Sequence, residues 1–135
     1  MEPHVTAAME AATRDSDAER VTFPEVVAQL MEAGIERYHA DLQRNEKTYY
    51  LPSGASHVVA AHEVGAVPAE GFSAEGVERA VRAVQAGQIK YREFCARIAA
   101  AGCVAYLVSL AGRRAVYYGR TGETHVEWFP GAKPN

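Results

Sequence analysis

The sequence has no apolar stretch approaching the roughly 20 residues that a membrane-spanning helix needs. Nor does a stripe of lysine and arginine run through it. The net charge is −3, whereas nucleic acid and anionic lipid both reward a basic face. The expectation is no nucleic-acid partner and no membrane partner. Cysteine is scarce: Cys95 and Cys103 make no disulfide framework, and free thiols in a reducing cytoplasm are expected. The opening MEPHVTAAMEAATRD is acidic early and has no uninterrupted apolar run, so it does not read as an export signal. Absent too are a Gly-x-Ser-x-Gly elbow, a phosphate-binding glycine loop, a dinucleotide fingerprint and spaced zinc ligands. Neither a cofactor nor a metal is therefore expected. With 48% apolar and 23% charged residues, the 135-residue chain suits one ordinary globular domain, residues 1–135, with its own core.

What is present is a repeat. Shifted by 68 positions without gaps, residues 23–58 lie over residues 91–126. Eleven positions coincide: Glu25/Glu93, Ala28/Ala96, Ala33/Ala101, Gly34/Gly102, Tyr38/Tyr106, Leu42/Leu110, Tyr49/Tyr117, Tyr50/Tyr118, Gly54/Gly122, His57/His125 and Val58/Val126. Ordinary composition gives about two or three such matches in a stretch this long. A tandem duplication is expected, with units of about 3–65 and 71–133.

Each unit reads as two helices and three strands. Val5, Ala8, Met9 and Ala12 follow helical spacing in the first unit; Val77, Ala80, Val81 and Val84 do so in the second. Thr22 and Glu25 have capping-box spacing, with Pro24 in the first turn, and Val26, Val27, Leu30 and Met31 are expected to face the core. Ser73 is expected to cap the first helix of the second unit, and Phe94, Cys95 and Ile98 to form the buried face of the second, the counterpart of the Thr22 helix. Strand-like runs cover Ile35–Leu42, Lys47–Leu51 and His57–Ala61, then Cys103–Leu110, Arg114–Gly119 and His125–Phe129. Ala61–Gly71 reads as a linker, and the tail from Pro130 as frayed. The fold class is α+β: antiparallel meanders, in one sheet or two, with helices on one face and a pseudo-two-fold axis between the halves.

Certain residues carry a family signature. FPEVV, the run Gly34–Ile35–Glu36–Arg37–Tyr38–His39, Thr48–Tyr49–Tyr50, and Tyr117–Tyr118–Gly119–Arg120–Thr121–Gly122–Glu123 together resemble domain-of-unknown-function family 1398. These are the YbcV-like proteins, often labelled phage envelope protein. The resemblance implies no catalytic residue, cofactor or substrate.

Candidate site residues come from the duplicated groups and from where the halves differ. In the adjacent pairs Tyr49/Tyr50 and Tyr117/Tyr118, one ring faces the core and the other is free to line a cleft. His57 and His125 open equivalent strands, with Glu127 two residues beyond the second. Symmetric imidazoles near a dyad suit metal ligation with Glu127 as a third ligand, an acid–base pair, or a structural hydrogen-bonded role, which the ligand count favours over a metal. Arg37, His39 and Asp41 alternate along one strand and point one way, whereas their counterparts are Ala105, Leu107 and Ser109. A charged edge strand accounts for that row. So does a binding strip in which Asp41 orients His39 and Arg37 meets an anion.

The leading functional expectation is a domain that binds a small molecule or a protein partner in a cleft between the repeats. The chief alternative is a proton-transfer enzyme (isomerase, cyclase, lyase or hydrolase) with His39 or His57 as base and tyrosine hydroxyls or Arg37 stabilising charge. A phage-related structural or assembly protein, with a homodimer as one form, is the third.

Overall fold

A computed structural model describes residues 1–132 of the chain. Along it run α1 (Pro3–Asp17), α2 (Phe23–Glu32), β1 (Arg37–Asp41), β2 (Glu46–Tyr50), β3 (Ser56–Ala60), α3 (Ala74–Gln85), α4 (Tyr91–Ala100), β4 (Cys103–Ser109), β5 (Arg114–Gly119) and β6 (Thr124–Trp128). The order is the expected one, with strand ends moved by one or two residues.

Local chemistry sets the helix ends. At α2, the Thr22 hydroxyl accepts from the Glu25 amide and the Glu25 carboxylate accepts from the Thr22 amide. The Thr22 amide and then its hydroxyl, both donating to the Glu25 carboxylate, hold it below its ordinary pKa. The Ser73 hydroxyl caps α3 by accepting from Gly76. The helix α4 differs, because Lys90 stands where Thr22 stands in the first half and offers no side-chain cap. Gly34 and Gly102 follow α2 and α4 with φ of +80° and +93°, where a side chain is strained. At Gly102 a Cβ would also fall 2.2 Å from the Gly71 carbonyl oxygen.

All six strands join one antiparallel sheet in the order β3-β2-β1-β4-β5-β6. The charged strand β1 is therefore central, not an edge, since it pairs with β2 and β4. Its ladder with β4 joins the halves, so a continuous sheet stands where a cleft between repeats was expected. Pairing registers recur under the 68-residue shift: Tyr38 faces Tyr49 as Tyr106 faces Tyr117, and Tyr49 faces His57 as Tyr117 faces His125. At the seam, His39 stands opposite Leu107, its own counterpart.

The strands alternate in burial, which fixes the layers. Tyr38, Tyr49, Tyr106 and Tyr117 point inward and are each at most 6% exposed. They pack in one core with Val5 and Met9 of α1, Leu30 of α2, Val77 of α3 and Ile98 of α4. Burying rings of this size is the main source of cohesion between sheet and helices. One expectation fails on α2, where Met31 is 56% exposed. Val26 and Leu30, four apart, already fill the stripe that touches the sheet, and Met31 lies about 100° further round. Of the tail expected to fray, Pro130–Ala132 form a turn closed by the Ala132 amide on the Phe129 carbonyl; the rest lies outside the described residues.

Candidate functional site

The helices leave the second face of the sheet uncovered, and the pairing registers order that face into three rows. The first crosses all six strands as Ser56, Tyr50, Arg37, Ser109, Arg114 and Trp128. The middle row is Val58, Thr48, His39, Leu107, Val116 and Val126. The third is Ala60, Glu46, Asp41, Ala105, Tyr118 and Thr124. One end of the face is thus cationic and aromatic, the centre apolar and the far end acidic.

In the first row the Arg37 guanidinium lies 4.2 Å from the centre of the Tyr50 ring, and the Arg114 guanidinium 4.0 Å from that of Trp128. Arg37 also pairs with Glu36. Strands two apart in a sheet are separated by about 10 Å, so the two cations flank Ser109 at that scale. In the centre, His39 Nε2 lies 2.8 Å from the Tyr118 hydroxyl, reaching diagonally across the seam. Partial burial raises the Tyr118 pKa, so at neutral pH the phenol keeps its proton. Asp41 does not orient His39; its Oδ1 accepts from the Gln43 and Arg44 amides, each at 2.9 Å, and shapes the β1–β2 turn.

The remaining sequence candidates lie elsewhere. Tyr49 and Tyr117 belong to the core, and the Tyr49 hydroxyl bonds to Thr13 at 2.7 Å. Burial drives both phenol pKa values far up. His57 and His125 face the helices from the two sheet edges, about 24 Å apart at ordinary strand spacing, and do not converge. Each meets a carboxylate instead. His57 Nε2 is 3.3 Å from Glu10, and His125 Nε2 is 2.6 Å from Glu127, which also accepts from Arg82 at 2.8 Å. His39 and His57, the two proposed bases, lie on opposite faces.

Sequence reasoning missed a second group, between the inner face and the helices. Lys47 is 4% exposed, with its ammonium 4.7 Å from the centre of the Tyr91 ring and 5.6 Å from that of Tyr38. Burial lowers its pKa, against a smaller upward pull from Cys95 and Asp17. The Tyr91 and Tyr106 hydroxyls bond at 2.9 Å, and the fully buried Cys95 thiol is pushed up to about 11. Beside them His62 Nδ1 lies 2.8 Å from Asp17 Oδ1, while its buried Nε2 has no hydrogen-bond partner among the described residues. The signal for Lys47 was available, because it shares the alternation phase of inward Tyr49. His62 carried none, since it lies in the apparent linker.

Residues 69–127 match the family described as "Protein of unknown function (DUF1398)". Uncharacterized proteins of Mycobacterium bovis and Mycobacterium tuberculosis are each 32% identical to the chain over 133 residues, covering 94% of it and 80% of their own length. Likeness of that extent reaches across both halves and beyond the matched stretch, and it makes the chain a member of the DUF1398 family of proteins of unknown function.

Proposed function

We propose that the protein is a binding domain whose site is the uncovered sheet face over the β1–β4 seam, and that its ligand is an amphipathic anion with a flat or apolar body. The supporting observation is the order of the rows. Arg37, Ser109 and Arg114 offer donors for an anionic head, His39, Leu107 and Val116 a bed for an apolar body, and Asp41 and Glu46 repel a head placed the other way round. A tandem duplication accounts for why that bed straddles the seam: a pseudo-two-fold through the His39–Leu107 pair brings both copies' strands to it. Superposing residues 3–65 on 71–132 tests the duplication separately.

Trp128, the one tryptophan, lies in the first row and reports on the site. Titration with naphthalene-2-sulfonate, a planar aromatic anion, is expected to change Trp128 fluorescence saturably. Arg37→Ala and Tyr118→Ala each weaken binding, while Glu127→Gln, on the other face, does not. A linear, unsaturable response up to millimolar ligand, or equal affinities in all variants, would discard the proposal.

A further inference from the structure

The group around Lys47 has features that packing alone does not call for. An amine buried among tyrosines loses its hydration, and the buried, unpartnered His62 Nε2 pays the penalty of an unmade hydrogen bond. Under the 68-residue shift Ala115 takes the position of Lys47, while Val27 and Phe23, both on α2 of the first half, take those of Cys95 and Tyr91. There Phe23 meets Phe129 edge-to-face at 5.3 Å, with no ionisable group in the pair. An apolar solution thus exists in this fold, and the Lys47 side departs from it.

The polar groups also stand in a usable arrangement. The Lys47 ammonium and the His62 imidazole both border the Tyr91 ring, the first at 4.7 Å and the second at 5.6 Å between centres. His62 is a side chain only 7% exposed, held at Nδ1 by Asp17 with its other nitrogen uncommitted. This is the orientation in which a carboxylate steadies an imidazole for proton transfer. The cover is the first turn of α4, which carries Tyr91 and lacks the capping box that fixes α2. It is held by Arg92, whose Nε donates to the Asp17 carbonyl at 2.8 Å, by the Tyr91–Tyr106 hydroxyl bond and by the buried Phe94 ring. A helix start without a side-chain cap frays more readily than one closed by a capping box.

We propose that Lys47 is a reactive amine that condenses with a small uncharged aldehyde, with the Asp17–His62 pair moving the proton and the first turn of α4 opening to admit it. The Lys47 Nζ lone pair attacks the carbonyl carbon, and the π electrons pass to oxygen. The nitrogen's proton travels through His62 Nε2 to that oxygen. The resulting carbinolamine then loses water to leave a C=N bond. The aromatic walls and the Asp17 carboxylate favour a neutral carbonyl compound over a 2-oxo acid. Burial lowers the Lys47 pKa, which enlarges the share of neutral, nucleophilic amine.

The test uses the full wild-type chain. It is incubated near neutral pH with acetaldehyde and cyanoborohydride, which reduces the imine to a secondary amine, and ethylated lysines are mapped by peptide mass. Lys90, exposed beside α4, is the internal comparator. Lys47 is expected to be labelled about tenfold faster than Lys90, as a neutral amine outruns an ammonium. His62→Gln slows labelling of Lys47 several-fold and leaves Lys90 unchanged, with the circular dichroism of the native fold retained. Preferential labelling of Lys90, with Lys47 reacting only after urea unfolding, overturns the proposal by making Lys47 a structural amine. Fast labelling of Lys47 that ignores His62→Gln overturns the assigned proton path.

Discussion

The two halves share an element order and strand registers and differ in what they bury. On the inner face, one cross-strand row reads Val59, Lys47, Ala40, Tyr106, Tyr117 and His125; the other reads His57, Tyr49, Tyr38, Val108, Ala115 and Glu127. Position for position under the 68-residue shift, the tyrosines and histidines are kept, and the exchanges are Lys47 for Ala115, Val59 for Glu127 and Ala40 for Val108. The helix above the alanine is locked at its start by Thr22 and Glu25, and the helix above the lysine is not. Where a scaffold is repeated, residues that recur report on the fold, and those that diverge inside the core report on use.

The largest effect is expected where the halves agree. Leu30 and Ile98 are counterparts and fully buried, so Leu30→Ala and Ile98→Ala should each destabilise by about 3 kcal/mol in urea unfolding, by lost burial plus a cavity. A single cooperative transition in both variants is expected. Two separate transitions would mean that the halves fold independently, and the comparison would have to be made between domains. Next, Lys47→Met is expected to raise stability by about 1–2 kcal/mol at neutral pH, because it removes a desolvated cation and keeps the volume.

The pH dependence of that gain follows from its sign. Lys47 has a folded pKa below its unfolded value, so between the two the unfolded chain binds more protons and stability rises with pH. The penalty is fully present below the lowered pKa and vanishes as pH approaches about 10.5, the ordinary lysine range. The difference between wild type and Lys47→Met should therefore shrink on going alkaline. Subtracting the two curves cancels the groups that do not feel the amine, leaving Lys47 together with Cys95 and Asp17, its coupled neighbours on α4 and α1. A flat difference would refute the buried-charge account.

Smaller effects probe the helix starts. Thr22→Ala should cost about 1 kcal/mol by opening the capping box. Lys90→Thr, which writes that box onto α4 above Glu93, should gain a comparable or lesser amount. It should also slow aldehyde labelling of Lys47, with the N-terminal amine as comparator. If the labelling rate is unchanged, the first turn of α4 is not the cover.

Much of this fold was legible because its signals are local. The capping box, the glycines after α2 and α4, and the tyrosine pairs each specify their own neighbourhood, and the repeated element order follows from them. Strand order was not legible, since pairing β1 with β4 joins residues nearly 70 apart and no turn announces it. Arg37, His39 and Asp41 misled for a physical reason: a central strand with one uncovered face can be as polar on that face as an edge. Arg37 and His39 could be grouped by alternation alone, since they lie two apart on one strand. Which tyrosine of each pair faced inward, and the place of His62 against Asp17, depended on packing between segments far apart in sequence.

The helices α2 and α4 each send an aromatic ring across the seam from their first turn. Phe23 at the start of α2 reaches Phe129 beyond β6, and Tyr91 at the start of α4 lies on Lys47 and His62 of the first half. Such cross-bracing rules out a clamshell: the two lobes cannot swing apart without stripping both aromatic latches and the central ladder together. Whatever this protein captures must settle on a rigid platform or slip beneath a fraying corner.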